Sequence, residues 1–183
     1  MQYIPAPWRE RYIKNALKTK GCVLCGALKR GADKDAYILY RGTHHFIILN
    51  TFPYTPGHLM IAPFRHTADF ARTSPAAAAE LAGLLKLAVK VLGAHYHPQG
   101  FNAGMNLGRS AGAGVADHYH LHVIPRWTGD SNFMPLVGRT RVLTEDLDTT
   151  YERLFPLFEK ERKRAVRRTG KEENTSQSRC HHA

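Results

Sequence analysis

Cysteine is scarce in this chain, three residues in 183, which leaves no disulfide framework to staple a small secreted fold. The opening residues, Met1-Gln2-Tyr3-Ile4-Pro5-Ala6-Pro7-Trp8-Arg9, lack the apolar core of a signal peptide. No apolar run approaches the roughly 20 residues that cross a bilayer. Internal repeats are missing, and no shift in composition marks a second domain. These absences exclude disulfide scaffolds, membrane spans and solenoid arrays, and the expectation is a cytoplasmic protein of one domain. The length suffices for a real core, and 43% apolar with 22% charged residues is ordinary for a globular chain.

Acidic residues are also few, 15 against 26 Lys and Arg, so the net charge is +11. Part of the excess sits at the end. From Glu159 onward eight basic residues (Lys160, Arg162, Lys163, Arg164, Arg167, Arg168, Lys171, Arg179) face four acids. We expect a domain over 1–160 and a basic, disordered tail over 161–183, because apolar residues nearly vanish there. Cys180-His181-His182 lacks a paired ligand set. The positive balance on the body suits a polyanionic substrate.

What is present in unusual form is Asp117-His118-Tyr119-His120-Leu121-His122-Val123-Ile124-Pro125-Arg126-Trp127. Three histidines recur at every second position, and a strand puts alternate side chains on one face. Buried imidazoles each need a hydrogen-bond partner, so a row of three points to a site. It suits metal binding through neutral rings or nucleophilic catalysis by one of them. A hydrolytic centre of the His-x-His-x-Asp-His kind is disfavoured, since position 121 is Leu and 122 is His, so the expected Asp is missing.

Upstream, Gly108-Arg109-Ser110-Ala111-Gly112-Ala113-Gly114 lets backbone N–H groups approach an anion without Cβ obstruction. Beside the histidines it is a candidate phosphate cradle, with Arg109 as an added cation. Cys22-Val23-Leu24-Cys25 can turn two thiolates toward one Zn²⁺. A redox pair would sit beside a βαβ unit, which the chain does not show.

The coarse pattern is α+β. Pro7 to Leu17 reads as a short helix. Tyr37–Tyr40 and Phe46–Leu49 read as strands joined at Gly42-Thr43, with further strands at His58–Ala62, Phe101–Leu107 and the histidine segment. Ser74-Pro75 starts a long helix with Leu81, Leu84, Leu85, Ala88, Val91 and Leu92 on one stripe. A second helix spans roughly Thr144 to Phe158. Without βαβ alternation the sheet is expected to be antiparallel. His44, His45, His95, His97 and Tyr96 read as surface or packing residues.

The run His-φ-His-φ-His-φ-φ followed by Pro-Arg resembles the signature of the histidine triad (HIT) superfamily, and the sequence matches it without a gap. Pro56-Gly57-His58-Leu59-Met60-Ile61-Ala62-Pro63 is similar to that family's Pro-Gly-His strand. Phe101-Asn102-Ala103-Gly104-Met105-Asn106-Leu107-Gly108 is similar to its Asn/Gly-rich strand. Arg126-Trp127-Thr128-Gly129-Asp130 through Met134, with Gly114-Val115 replacing the usual Gly-Gln, resembles the bacterial diadenosine tetraphosphate phosphorylase branch. The resemblance covers about Trp8 to Leu143.

The resemblance implies a five-stranded antiparallel sheet with one long and one or two shorter helices, in a homodimer. It implies catalysis by His120 as nucleophile, with His122 and His58 on the phosphate oxygens. Asn106, Gly108, Arg109, Gly112, Gly114 and Asn50 become the substrate-binding set. Cys22 and Cys25, completed by His66 and His118, become a structural Zn²⁺ site, with no organic cofactor. His118 and His120 would share a strand face, so the strand must start or bend there for both roles to fit. The implied reaction is cleavage of a dinucleoside polyphosphate, with inorganic phosphate as acceptor. Hydrolysis of dinucleoside polyphosphates or nucleoside phosphoramidates is the alternative, and Leu121, where some family transferases carry Gln, pulls that way. Processing of adenylylated nucleic-acid ends and non-catalytic nucleotide binding stay open, although nucleic acid is not the expected partner.

Overall fold

The computed structural model describes residues 21–130 and 145–179, with side chains described as far as position 165 and at 167. The expected helix over Pro7 to Leu17, the segment 131–134 and Cys180-His181-His182 lie outside the described residues. The elements in order are α1 (Val23–Leu28), α2 (Asp33–Ala36), β1 (Ile38–Arg41), β2 (His45–Leu49), β3 (Leu59–Pro63), a 3₁₀ turn (Phe70–Arg72), α3 (Pro75–Tyr96), β4 (Gly100–Met105), β5 (Leu121–Arg126) and α4 (Leu147–Arg179). The sheet runs β1-β2-β3-β5-β4, and every neighbouring pair is antiparallel. The fold is α+β, as expected. Among the described residues, no helix is long and apolar enough to cross a membrane.

Strand alternation sorts the core into two layers. Leu39, Ile47, Leu49, Leu59, Ile61, Leu121 and Val123 pack with Leu81, Leu84, Ala88, Val91 and Leu92 of α3 and Tyr151, Leu154 and Phe158 of α4. Ile38, Phe46, Ile48 and Ala62 pack on the other face with Leu24 and Ala27 of α1. Strand β2 is therefore buried at every position. The stripe predicted on α3 is the one that packs, with Leu85 half-buried at its margin. Ser74 caps the helix through its hydroxyl to the Ala77 N–H at 3.3 Å, and Pro75 occupies the first turn.

Helix α4 departs from expectation, since it runs to Arg179 rather than ending at Phe158. Residues 161–179, expected as a disordered tail, have helical backbone. Its first turns bury Tyr151, Leu154 and Phe158 at helical spacing. Ion pairs Glu159–Arg162 and Glu161–Arg164 at 2.7 Å, and Glu161 to Lys90 of α3, then carry it past the apolar stripe. Pairs three residues apart add only a few tenths of a kcal/mol each to an already nucleated helix.

The histidine segment also differs. β5 begins at Leu121, so His118 and His120 precede the strand and only His122 lies on it. The Tyr119 N–H donates to the Thr67 carbonyl at 2.8 Å, drawing the chain out of the ladder before the strand begins. That is the bend the two roles require.

Candidate functional site

β3 and β5 bring the first cluster together. Met60 pairs with His122 and packs on the α1 face, while Leu121 and Val123 face α3. His122 therefore projects from the sheet face opposite the long helices. His58 enters just before β3 through Pro56-Gly57. Gly57 has φ +73°, and a Cβ there would come 2.7 Å from Tyr96 Cε2, so only glycine fits this turn. Thr55 Oγ1 donates to the Pro125 carbonyl at 3.0 Å, tying the turn to β5.

Hydrogen bonds fix the tautomers. The Tyr54 N–H donates to His58 Nδ1 at 3.1 Å, so in the neutral ring the proton is on Nε2. That N–H donates to His122 Nδ1 at 3.0 Å, which leaves the His122 proton on Nε2. His120 Nδ1–H donates to the His118 carbonyl at 2.9 Å, leaving Nε2 with its lone pair. The His120 and His122 rings lie 4.8 Å apart. His58 and His120 are almost fully buried.

Burial lowers the pKa of His120, partly offset by the His118 carbonyl. Burial, with His120 beside it, lowers His122 from 6.5 to about 4. The unfolded chain then binds more protons than the folded one between pH 6.5 and 4, so stability is full above that window and falls through it. The urea midpoint should drop as pH is lowered from 6.5 toward 4, and more weakly in His122→Gln. An equal pH dependence in both proteins would refute the burial of this imidazole.

Of the expected substrate set, Asn50 follows β2, Asn106 follows β4, and Gly108, Arg109, Gly112 and Gly114 lie in the connection from β4 to β5. Asn50 lies against His58, its Nδ2 at 3.3 Å from Nε2, while its Oδ1 accepts the Phe52 N–H at 2.9 Å. Asn106 follows β4 directly, one residue past the last pair of the β4–β5 ladder, Met105 with Leu121. Gly108 and Gly112 both have φ +88°, the left-handed region. The amides of Gly112 and Ala113 close the loop on the carbonyls of Arg109 and Gly108 at 2.9 and 3.3 Å, so they serve the turn first. Arg109 and Gly114 are exposed. Arg126 forks onto Asp130 at 2.6 and 2.8 Å and reaches Asn102 at 2.6 Å. Asp130 also accepts the Trp127 N–H at 3.1 Å, shaping the turn that follows the strand.

A second cluster joins Cys22, Cys25, His66 and His118, whose ligand atoms all lie within 4.8 Å of one another. Cys22 is the residue before α1 and Cys25 lies in its first turn. Leu24 and Ala27 pin that turn to the sheet. The Sγ to Nδ1 distances are 3.3 Å (Cys22–His118), 3.4 Å (Cys25–His66) and 3.6 Å (Cys25–His118). A tetrahedral zinc with ordinary bond lengths sets sulfur and nitrogen about 3.6 Å apart. His118 Nε2–H donates to the Pro63 carbonyl at 2.8 Å, aiming the Nδ1 lone pair at the sulfurs. Burial, ahead of its other influences, lowers the His118 pKa and favours this neutral ligand form. The four residues fit a metal ion with no position left open.

Sequence reading missed one group. His45, taken as surface or packing, is fully buried and bridges Glu80 and Tyr119. Its place beside a turn hid it, because Glu80 is 35 residues away in the chain and no spacing rule links them.

Residues 32–129 match the HIT domain family. An AP-4-A phosphorylase of Mycobacterium tuberculosis is 39% identical over 119 residues, 65% of this chain and 61% of that protein. The chain thus spans less than two thirds of that relative. A HIT-like protein of Saccharolobus solfataricus is 32% identical over 114 residues, 62% of this chain and 79% of its own. The crystal structure of a Zn-bound histidine triad family protein from Mycobacterium smegmatis superposes with a TM-score of 0.61 at 25% identity, covering 81% of this chain and 98% of that one. With the sheet, the histidine cluster and a domain match over more than half its length, this chain belongs to the HIT domain family.

Proposed function

We propose that the protein cleaves dinucleoside polyphosphates, diadenosine tetraphosphate above all, at an α-phosphate through a nucleotidyl-histidine intermediate. The observation that carries this reading is the His120 tautomer: its Nδ1–H is held by the His118 carbonyl, and Nε2 is left as a nucleophile. The phosphorylase among its relatives supports the substrate class.

In the first step His120 Nε2 forms a bond to the α-phosphorus, and the bond from that phosphorus to the bridging oxygen breaks. ATP leaves with the electron pair. His122 presents an Nε2–H from a ring held by His58, a neutral donor for the phosphoryl and departing oxygens. Asn106, Asn50 and the Gly108–Gly114 loop position the nucleotide, with Arg109 beside the polyphosphate. In the second step an oxygen of inorganic phosphate attacks the same phosphorus, the P–N bond breaks, and ADP forms. Water in place of phosphate would yield AMP. Cys22, Cys25, His66 and His118 would hold a structural Zn²⁺ that ties α1 to the sheet, and no organic cofactor takes part. We read the working unit as a cytoplasmic homodimer.

Product analysis after incubation with diadenosine tetraphosphate, with and without phosphate, tests the reading. ATP plus ADP that appears only with phosphate is the expected result. ATP plus AMP independent of phosphate would reassign the acceptor to water. An unconsumed substrate under both conditions would overturn the proposal.

A further inference from the structure

Four side chains outside the catalytic and metal clusters form a directed chain through the interior. Glu80 of α3 accepts from the Thr43 and His44 backbone N–H groups at 2.5 and 2.8 Å, and its Oε2 lies 2.9 Å from His45 Nδ1. His45 Nε2 lies 3.1 Å from the Tyr119 hydroxyl, which accepts from Thr73 Oγ1 at 3.4 Å. His45 is fully buried and Tyr119 nearly so. A neutral His45 satisfies every direction at once: Nδ1–H donates to the carboxylate, and Nε2 accepts the phenol proton. Burial by itself would raise the Glu80 pKa, but the bonds from His45, Thr43 and His44 hold it below the ordinary carboxylate range. The turn is shaped for the contact, because a Cβ on Gly42 would come 2.7 Å from Glu80 Oε1. Phe70 closes over the Tyr119 ring edge-to-face at 5.4 Å.

The location gives the chain its meaning. Tyr119 stands between His118, whose carbonyl holds the His120 tautomer, and His120 itself. On one side this segment is held by the His118 contacts to Pro63 and the cysteines. On the other side, Tyr119 holds it through its N–H to Thr67, its ring under Phe70 and its phenol on His45, and the phenol is the part that joins it to α3. We propose that Glu80, His45 and Tyr119 act as one positioning relay that sets the 118–120 backbone, and thereby the orientation of His120, from the α3 side of the sheet. This rests on His120 being the nucleophile. None of the three touches the reacting atoms, so they are positioning residues. Partners that orient metal-bound imidazoles from behind are typically worth about 10- to 100-fold in affinity or activity, and the lower end of that scale is the effect expected for this relay.

The test uses the full-length protein carrying Tyr119→Phe, Glu80→Gln and both together. Tyr119→Phe keeps the ring that packs under Phe70 and removes only the hydroxyl. The expected result is a kcat about 10-fold lower with unchanged KM and unchanged metal content. Glu80→Gln should behave alike, and the double variant should fall no further than either single one, since a broken relay cannot be broken twice. A Tyr119→Phe protein that melts earlier but keeps wild-type kcat would reduce the relay to packing and overturn the proposal. Additive losses in the double variant would do the same. The ¹⁵N spectra of wild-type protein labelled at histidine decide the matter where variants do not fold or no dinucleotide is consumed. The relay requires a neutral His45 protonated at Nδ1. A His45 protonated at Nε2 alone would refute it whatever the fate of the functional reading.

Discussion

His120→Ala is expected to bind nucleotide as the native protein does and to lose turnover on the order of 10⁴-fold or more, because the covalent route disappears with the nucleophile. The geometry makes the loss specific to this ring. His122 lies next to it but spends its Nδ1 on His58, and its remaining nitrogen carries a proton, so it has no lone pair to offer the phosphorus. His58 is occupied at both nitrogens, by Tyr54 and His122. Neither can take over the attack. The measurement is a rapid-quench search for protein-bound nucleotide together with steady-state turnover. Native protein should show a burst of acid-labile nucleotidyl-histidine, and His120→Ala should show neither burst nor turnover while its Kd for a nucleotide stays within a few fold. His122→Gln should lose less, about 10²–10³-fold, the usual cost of removing one positioned donor. Near-native turnover without His120 would end the covalent reading.

Removing metal is expected to give the second-largest effect, and it should act on stability and rate together. At free zinc a thousandfold above its Kd, mass action contributes about 4 kcal/mol to the folded state. For a chain of this size that corresponds to roughly 8–16 °C in Tm. The reason is topological. Cys22 and Cys25 sit 41 or more residues from their histidine partners, so a shared ion fastens the α1 segment to the end of β3 and to the approach to β5. The rate should fall as well, since the same His118 that offers Nδ1 to the sulfurs offers its carbonyl to His120. Elemental analysis should find one zinc per chain, and Cys22→Ser should release it and lower Tm by a similar amount. A protein that contains no zinc as purified and melts identically with and without chelator would remove the metal from the description.

Much of this was legible in the linear sequence, for reasons that can be named. The α3 stripe from Leu81 to Leu92 was readable because helical periodicity is a local property, and so was its start at Ser74-Pro75. The Phe46–Leu49 strand and the histidine alternation were readable on the same ground, whereas the Pro-Gly-His segment was recognised by resemblance to a family. The pairing of Cys22 and Cys25 with His66 and His118 came from resemblance to a family, and the structure brings those four side chains together. The end of α4 was misjudged because loss of apolar residues was equated with loss of helix. The observed helix extends on i,i+3 ion pairs and a contact to Lys90.

The sequence alone determined which chemistry is available, since residue type and local period settle which side chains exist and on what kind of element. It could not determine tautomers, burial or the start of β5. Those depend on which groups from distant parts of the chain arrive as partners. Strand alternation alone would set His118, His120 and His122 on one equivalent face. The bond from Tyr119 to Thr67 bends the chain before Leu121, and the three rings acquire three different environments. Pro63 and the cysteines take His118, the His118 carbonyl takes His120, and His58 takes His122. The burial of His45 between Glu80 and Tyr119 is of the same kind. Hydrogen-bond partners are chosen by proximity in space, and proximity between residues 35 or 74 positions apart exists only once the sheet and α3 have packed.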